Sequence, residues 1–171
     1  DIILSSDPDA DRVGSMVKHG GKWIFLNGNE IATILTEYVV QKRKNGLSGQ
    51  GVILKTNVTT SIIKNICEKN GVKLTGDLLV GFKYIADVMN SLEKKGHIDN
   101  FIFASEESHG YLAGSYARDK DAVTAAVWLS ELAAELKFKN KTLVDYLDRI
   151  YSKYGYFKNY LTEIRILGAL G

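Results

Sequence analysis

The sequence predicts an α/β layered domain, in which helices cover a mixed, largely parallel sheet. Two observations lead to this prediction. Short apolar runs alternate along the chain with longer stretches whose apolar residues recur every three or four positions, and the connections between them are brief. Such an order of strands and helices is typical of a largely parallel sheet with helices on its faces. With 45% hydrophobic and 25% charged residues, the chain can bury a core beneath an ordinary polar surface.

The predicted strands are short runs of aliphatic or aromatic residues that end at polar or glycine-containing turns. They lie at residues 2–4, 13–17, 23–26, 52–54, 78–80 and 101–103, with a further strand at 161–167. Gly20-Gly21 stands between the second and third runs, and paired glycines favour the positive φ angles of a tight hairpin turn. We therefore expect residues 13–26 to form a β-hairpin.

The predicted helices carry a stripe of apolar residues along one side. These stripes lie at residues 31–39, 62–67, 82–92, 121–136 and 143–150. Asn45-Gly46, Asn70-Gly71 and Lys94-Lys95-Gly96 follow the first three stripes, and glycine in the left-handed conformation is a common helix stop. Strand–helix units thus succeed one another from about residue 23 to residue 139.

Charge and cysteine content narrow the classes of partner. With 22 basic and 20 acidic side chains the net charge is +2, which disfavours a nucleic-acid partner. No apolar run approaches the ~20 residues of a membrane span, so we expect no membrane partner. Cys67 is the single cysteine and lies among isoleucines at helical spacing, so we expect a buried thiol and a cytoplasmic location. Because the chain opens within a predicted strand and without methionine, we expect it to be a piece of a longer protein.

Three aspartates follow the first predicted strand at alternate positions. They lie in the run Asp7-Pro8-Asp9-Ala10-Asp11-Arg12. Carboxylates that are brought together in a tight loop need a cation or a proton, and oxygen ligands favour Mg²⁺ or Ca²⁺. We expect the three carboxylates to converge on one point. The alternative is a solvated acidic turn that holds no metal.

Two other classes of protein place aspartates in a similar way. An EF-hand loop beginning at Asp7 requires glycine at its sixth position and glutamate at its twelfth, where this sequence has Arg12 and Lys18. A haloacid-dehalogenase-type phosphatase places a nucleophilic aspartate after a strand and a second one two residues later, as Asp7 and Asp9 would be. That family expects threonine or valine where Asp11 stands, which weakens this interpretation but leaves it open.

An acidic loop that contains serine follows the predicted strand 101–103. It comprises Ser105-Glu106-Glu107-Ser108-His109-Gly110. Ligand sites of α/β sheets lie at the carboxyl ends of strands, and a carboxylate beside a hydroxyl group suits hydrogen bonding to a polyol. We therefore expect Glu106 and Ser108 to be solvent-accessible at one edge of the sheet. The alternative is a polar loop that caps a helix, and we expect His109 to be solvent-exposed rather than a general base.

Two basic sites also follow turns. Lys55 follows the strand 52–54 and precedes several threonines at a predicted helix N-terminus, a combination that suits phosphate binding. Arg118-Asp119-Lys120-Asp121 precedes the predicted helix 121–136. For this second site the alternative is a helix N-cap formed by Asp119 or Asp121.

Together and in order, these segments resemble those of the α-D-phosphohexomutases, the phosphoglucomutase and phosphomannomutase family. The aspartate run is similar to the metal loop of that family, and the segment 106–110 is similar to its sugar-binding loop. Further similarities are Leu26-Asn27-Gly28-Asn29-Glu30, Lys55-Thr56 with Thr59-Thr60, Gly81-Phe82-Lys83-Tyr84-Ile85 and Arg118-Asp119-Lys120-Asp121. The form of these loops is more similar to bacterial phosphoglucomutase or phosphopentomutase relatives than to phosphomannomutases.

The resemblance implies a phosphomutase in which a phosphoserine donates its phosphoryl group to a sugar phosphate. A bisphosphate intermediate then returns the other phosphate to the serine, so that phosphate moves between the 1- and 6-positions. The resemblance implies Mg²⁺ held by Asp7, Asp9 and Asp11, catalytic roles for Arg12 and Lys120, and substrate contacts from Glu106, Ser108, Lys55, Lys83 and Arg118. The substrate would be a hexose or pentose phosphate, with a sugar 1,6-bisphosphate as activator and intermediate.

The same resemblance implies a fold of the family's middle-domain type and divides the chain into three parts. Residues 1–22 would end a preceding domain and carry the metal loop, residues 23–140 would form the sugar-binding α/β domain, and residues 141–171 would form a helix and linker toward a missing C-terminal domain. The family's phosphoserine loop and distal phosphate loop have no counterpart in the sequence. We therefore expect the isolated chain to be inactive and to need the flanking domains of the same enzyme. A non-catalytic module that binds metal or sugar phosphate is the remaining alternative.

Overall fold

The computed structural model describes residues 1–43, 50–160 and 162. The strands are β1 (Ile2–Ser6), β2 (Val13–His19), β3 (Lys22–Leu26), β4 (Val52–Thr56), β5 (Lys73–Leu78), β6 (Phe101–Ser105) and β7 (Tyr111–Leu112). The α-helices are α1 (Gly28–Arg43), α2 (Ile62–Asn70), α3 (Phe82–Lys94), α4 (Ala122–Lys137) and α5 (Leu143–Tyr154). The predicted helix stop at Asn45-Gly46 and, apart from residue 162, the predicted strand 161–167 lie outside the described residues.

The first three strands form an antiparallel sheet in the order β1-β2-β3. Ile2 pairs with Val17, and Ser15 pairs with Leu26. The turn between β2 and β3 has φ angles of 55° at Gly20 and 79° at Gly21, which residues with a side chain seldom adopt. The predicted hairpin is therefore confirmed. The predicted domain boundary between residues 22 and 23 falls within β3, just after this turn, and stays a prediction.

The second sheet has the order β5-β4-β6-β7. β4 runs parallel to both β5 and β6, while the short β7 runs antiparallel to β6. Consecutive parallel strands need a crossover connection, and α2 and α3 provide these connections along the chain. The predicted mixed, largely parallel sheet is confirmed.

Helices cover both faces of this sheet. Val52 and Leu54 of β4 belong to one apolar cluster, in which they pack with Phe82, Ile85 and Met89 of α3. The intervening Ile53 faces the opposite cluster, which contains the buried residues of α1, α2, α4 and α5. Because successive residues of a strand point to opposite faces, β4 contributes to both clusters. The molecule is thus layered as the sequence predicts, and Cys67 is buried in the larger cluster.

Helix α1 lies in the middle of the larger cluster and is buried around most of its circumference. Its carboxylate Glu37 is only 1% exposed. Glu37 accepts hydrogen bonds from Tyr154 Oη at 2.8 Å and from Lys153 Nζ at 3.2 Å, so the buried charge is neutralised by an ion pair. This contact holds the last turn of α5 against α1.

No helix among the described residues has the length and apolar character needed to cross a membrane.

The predicted strand at 78–80 is wrong. The strand in this region is β5, which pairs with β4 from Lys73 to Leu78. Asn57 N–H donates to Leu78 O at 2.7 Å and ends the ladder, and Leu79 and Val80 are 57% and 55% exposed. β5 is an edge strand whose only aliphatic residues are Leu74 and Leu78, so it has no continuous apolar run. The continuous apolar run in this region consists of Leu78 and the exposed Leu79 and Val80 that follow it.

Candidate functional site

Three loops meet at one edge of the molecule, where β1 and β6 end. They are the segment 7–12 after β1, the segment 106–110 after β6, and the segment 113–121 before α4. Val13 N–H donates to His109 O at 3.1 Å, and Ala122 N–H donates to Ala10 O at 3.2 Å. Arg12 and Gly110 form an antiparallel β-bridge. We call the first segment the aspartate loop and the second the acid–serine loop; backbone hydrogen bonds hold the two together.

The aspartate loop is shaped by its first carboxylate. Asp7 Oδ1 accepts the backbone N–H groups of Asp11 and Arg12, each at 3.2 Å. Between Asp7 and Asp11, Ala10 has a φ of 57°. This conformation is unfavourable for a residue with a side chain and marks a tight turn. Desolvation raises the pKa of Asp7, but the N–H donors of Arg12 and Asp11 lower it by more, so its pKa lies below the ordinary value. Asp7 is therefore ionised at neutral pH.

Asp11 is joined to the segment before α4 by Lys120. The Lys120 ammonium lies 3.0 Å from Asp11 Oδ2 and 2.9 Å from Asp119 Oδ1. Its side chain is 12% exposed and passes over the Phe82 ring, with Nζ 5.4 Å from the centroid. Burial lowers the pKa of Lys120, but the two carboxylates raise it by more, so the net shift is upward. Lys120 is a permanent cation beside the aspartate loop.

The three aspartates do not form one cluster. Within residues 1–43, 50–160 and 162, no group of three His, Cys, Asp or Glu side chains is arranged to hold a metal ion, and Asp9 is exposed. The carboxylates of Asp7 and Asp11 do interact with each other, so the predicted convergence fails only at Asp9, and the metal-binding role of the three residues stays a prediction. One observation does fit a cation: Asp11 Oδ1 is buried and has no hydrogen-bond donor. A buried carboxylate oxygen without a donor is a suitable ligand for Mg²⁺, so Mg²⁺ stays a prediction.

Glu106 is buried rather than accessible. It is 4% exposed, and its Oε1 accepts the backbone N–H of Gly81 at 2.9 Å, just before α3 begins. The predicted exposure of Glu106 is therefore wrong, and the alternative of a residue that satisfies a helix N-terminus applies to this carboxylate. Ser108, two residues further on, is partly exposed. The acid–serine loop thus offers Ser108 to solvent and directs Glu106 toward α3.

His109 is half-buried, which contradicts the predicted exposure. Its ring Nδ1 lies 3.1 Å from Val13 O, and the ring centroid lies 5.8 Å from that of Phe25. Since Val13 N–H donates to the His109 carbonyl group, His109 holds the first residue of β2 with both its backbone and its ring. The residue connects the acid–serine loop to the strand that follows the aspartate loop.

Two glycines that the sequence did not single out are required by close contacts. A Cβ atom at Gly28 would overlap the Glu107 carbonyl oxygen, and one at Gly110 would overlap the Lys120 side chain. Tyr111 Oη donates to Gly28 O at 2.8 Å beside the first of these contacts. Both glycines lie in segments that resemble the family, Gly28 in the run 26–30 and Gly110 in the acid–serine loop. Their presence there could have indicated these contacts, since glycine often marks a close approach of the backbone to neighbouring groups.

The other predicted basic residues have partners of their own. Lys55 is 6% exposed and its ammonium donates to backbone carbonyl groups. Arg118 donates to Asn90 Oδ1 at 2.8 Å and to Glu93 Oε2 at 2.7 Å, both in α3. Lys83 is exposed, with its ammonium 5.0 Å from the centroid of the Tyr84 ring. The substrate contacts assigned to these three residues stay predictions.

Comparison with known proteins agrees with the fold. Residues 27–154 match the sequence model of the family described as phosphoglucomutase/phosphomannomutase, alpha/beta/alpha domain III. A phosphoglucomutase from Staphylococcus aureus is 34% identical over 172 residues, which cover 100% of this chain and 30% of that protein. The chain therefore spans about a third of the length of the curated relatives it matches.

Solved structures give the same result. A putative phosphomannomutase from Thermus thermophilus superposes with a TM-score of 0.69 at 25% identity, over 90% of this chain and 31% of that one. The open form of parafusin, an exocytosis-sensitive phosphoprotein and phosphoglucomutase from Paramecium, has a TM-score of 0.67 at 24% identity, over 90% of this chain and 24% of that one; this second similarity concerns the fold alone. The domain is therefore of the α/β/α type that this family model describes. The chain belongs to the phosphoglucomutase/phosphomannomutase family, which confirms the resemblance inferred from its motifs.

Proposed function

We propose that this chain supplies the magnesium loop and the sugar-recognition loop of a phosphohexomutase. Such an enzyme is an isomerase-class phosphotransferase that moves phosphate between the 1- and 6-positions of a sugar through a phosphoserine and a bisphosphate intermediate. One observation carries the proposal beyond family membership. The Asp11–Lys120 ion pair joins the aspartate loop to the segment that follows the acid–serine loop, so groups for a phosphoryl centre and for a sugar lie side by side.

The residues of the aspartate loop have the charge needed at a phosphoryl-transfer site. Asp7, Asp9 and Asp11 would hold Mg²⁺, and the buried Asp11 Oδ1 is the ligand best prepared for it. When bound, Mg²⁺ neutralises charge that develops on the transferred phosphoryl group. Arg12 lies with its Nε 4.0 Å from Asp7 Oδ2 and 3.8 Å from Asp11 Oδ1, so it supports the loop while its half-exposed side chain can meet a phosphate.

The sugar would be recognised by the acid–serine loop. Ser108 can donate to or accept from a hydroxyl group, and a carboxylate such as Glu106 accepts from one. Glu106 Oε1 accepts the N–H of Gly81, so a sugar hydroxyl group would bind to the other carboxylate oxygen, Oε2. Lys120 is the proposed proton-transfer or electrostatic residue, and Lys83 and Arg118 are the remaining proposed substrate residues. Lys55, which the resemblance also assigned to the substrate, directs its ammonium group to three backbone carbonyl groups instead.

The substrate is a hexose or pentose phosphate, and we propose glucose phosphate first because the curated relatives reported above are phosphoglucomutases. A sugar 1,6-bisphosphate would serve as activator. The flanking domains of the same enzyme would be the partners of this chain, and the cytoplasm its location. The family match gives no support to the phosphatase alternative.

The full-length protein provides the test. It is incubated with glucose 1-phosphate, a trace of glucose 1,6-bisphosphate and Mg²⁺, with mannose 1-phosphate and ribose 1-phosphate as competitors of different sugar class. We expect glucose 6-phosphate to form, and Asp9→Asn to abolish Mg²⁺-dependent turnover while the circular dichroism spectrum is unchanged. Release of inorganic phosphate without isomerisation, together with phosphate covalently trapped on Asp7, would instead establish a phosphatase.

A further inference from the structure

Lys55 is enclosed at the end of β4, although lysine is among the residues least often buried. It is 6% exposed. Its ammonium group donates to Thr56 O at 3.0 Å, Thr59 O at 2.9 Å and Gly76 O at 3.3 Å. An ammonium group has three N–H donors, and three backbone carbonyl groups use all of them. Lys55 therefore has no donor left for a phosphate oxygen in this conformation.

The carbonyl groups that bind Lys55 come from two separate segments. Thr56 is the last residue of β4, Thr59 lies in the turn between β4 and α2, and Gly76 lies in the neighbouring strand β5. The absence of a side chain at Gly76 leaves room for the lysine, because a Cβ atom there would lie 3.2 Å from Lys55 Cε. Burial lowers the pKa of Lys55, while the Asp77 carboxylate raises it, and the net shift is downward. The lysine thus joins the turn 56–59 to β5 at an electrostatic cost.

The turn 56–59 in its turn contacts the acid–serine loop. Thr56 Oγ1 and Thr59 Oγ1 are 2.7 Å apart. Thr56 Oγ1 donates to Glu107 Oε2 at 3.2 Å, and Thr59 Oγ1 donates to Ser105 O at 3.5 Å. Both threonines are buried, with exposures of 0% and 2%. The two hydroxyl groups therefore hold the residues on either side of Glu106.

From this chain of contacts we infer that Lys55 is a positioning residue and not a ligand of the substrate phosphate. It fixes the turn 56–59, and that turn holds the acid–serine loop in the conformation that recognises the sugar. The inference rests on the function proposed above for this loop. Thr56 holds the acid–serine loop through its hydrogen bond to the Glu107 side chain.

The consequence differs from that of a phosphate ligand. Removing the ammonium takes one donor from each of three carbonyl groups, of which Thr56 O keeps the Thr59 N–H at 3.1 Å. This loss loosens the turn and then the loop. Sugar binding weakens because the loop must be ordered when the substrate arrives. Binding of inorganic phosphate, which has no sugar hydroxyl groups, stays unchanged. A direct phosphate ligand would show the opposite pattern.

The experiment compares three variants of the full-length protein. Lys55→Met removes the ammonium and keeps the length of the side chain. Thr56→Val removes the hydroxyl group that contacts Glu107 and leaves Lys55 in place. Lys64→Met is the matched control, because Lys64 is an exposed lysine of α2 that pairs only with Glu68, at 3.8 Å, among the described residues.

Hydrogen exchange of the amides of residues 105–110 and steady-state kinetics are the two measurements. We expect Lys55→Met and Thr56→Val to accelerate exchange in this segment and to raise KM for the sugar phosphate about tenfold, with inhibition by inorganic phosphate unchanged. Lys64→Met should match the wild type in each respect. Should Lys55→Met fail to fold, Thr56→Val still decides the matter.

Two results would overturn the inference. One is wild-type exchange at 105–110 in both Lys55→Met and Thr56→Val. The other is a normal KM for Thr56→Val combined with loss of phosphate inhibition in Lys55→Met, which would make Lys55 a phosphate ligand. If the protein has no mutase activity, the proposed function fails, while the exchange measurement still tests the positioning role separately.

Discussion

The Lys120 ammonium group and Asp11 Oδ2 lie 3.0 Å apart, although 109 residues separate them in the chain. Both side chains are largely buried, with exposures of 12% for Lys120 and 26% for Asp11. Lys120 lies between the aspartate loop and the acid–serine loop, so its positive charge can attract an anionic group bound at either loop. The following predictions depend on this and neighbouring contacts.

Lys120→Met should lower kcat/KM of the full-length protein by at least about a hundredfold, because it removes a charge from the proposed phosphoryl centre. Lys137→Met is the control, since Lys137 is an exposed lysine of α4 whose ammonium is 3.7 Å from Asp1. Steady-state assays with both variants measure the effect. Near-normal turnover of Lys120→Met would remove this lysine from the proposed catalytic group.

Gly110→Ala should reduce activity to a similar degree, because the new methyl group would overlap the Lys120 side chain and displace its ammonium from Asp11. Gly14→Ala is the matched control, since a Cβ atom there meets only Ser5 O at 3.9 Å. The crystal structure of Gly110→Ala reports the position of Lys120 directly. An unmoved Lys120 and full activity would contradict the prediction.

Asp121→Ala should destabilise the domain by about 0.5–2 kcal/mol at pH 7, because Asp121 is the N-cap of α4 and accepts the N–H groups of Val123 and Thr124. Burial raises the pKa of Asp121, but hydrogen bonds from Thr124, Tyr116 and the backbone lower it below its ordinary value of 3.8. The ionised group therefore stabilises the fold above pH 3.8, and this contribution disappears as pH falls through the lowered pKa.

Urea unfolding at several pH values tests this dependence. The difference between wild type and Asp121→Ala should be constant from pH 7 to about pH 5 and should shrink in more acidic solution. Asp148→Ala, at an exposed position of α5, should lose no stability, because alanine favours the helix. A difference that grows on acidification would show that the sign of the pKa shift is wrong.

His109→Phe should raise the Mg²⁺ concentration that gives half-maximal activity of the full-length protein. The variant keeps an aromatic ring against Phe25 but loses the contact of Nδ1 with Val13 O, so the aspartate loop is less well fixed. We expect a shift of about threefold to tenfold, consistent with the loss of one hydrogen bond. An unchanged Mg²⁺ dependence would confine His109 to packing.

The isolated chain should show no mutase activity at any Mg²⁺ concentration. Phosphoryl transfer needs the donor, the metal and the acceptor to be held together, and the phosphoserine is proposed to lie elsewhere in the enzyme. The assay uses the purified chain with glucose 1-phosphate, glucose 1,6-bisphosphate and Mg²⁺. Formation of glucose 6-phosphate above a control without protein would show that the chemistry resides in these residues.

Much of the fold follows from local pattern. Gly71 ends α2 with a φ of 65°, as the Asn70-Gly71 pair predicts, because few other residues adopt that conformation. β5 could not be predicted in the same way. Its polar residues lie at the edge of the sheet, and their pairing with β4 depends on contacts that the local sequence does not contain.

The loops of the site were predicted, whereas the orientations of their side chains were not. Glu106 and Lys55 are polar residues that normally lie at the surface. Each is buried here with a hydrogen bond to a backbone group distant in sequence: Glu106 accepts the N–H of Gly81, 25 residues away, and Lys55 donates to the carbonyl group of Gly76, 21 residues away, as well as to nearer carbonyl groups. Only the three-dimensional structure brings these groups together. The partners of the aspartate loop are equally distant in sequence, since Lys120 pairs with Asp11 while Asp9 stays exposed.

The contact between Gly28 and the Glu107 carbonyl group has a consequence for how a sugar would meet this domain. The first turn of α1 lies directly against the acid–serine loop, with Tyr111 bonded to Gly28 on the same side. The acid–serine loop is therefore held in one conformation against α1 and is not a lid that closes over a ligand. Its conformational entropy is lost when the domain folds, so a ligand that binds to it loses less conformational entropy on binding, and any closure around a bound sugar would not come from this loop.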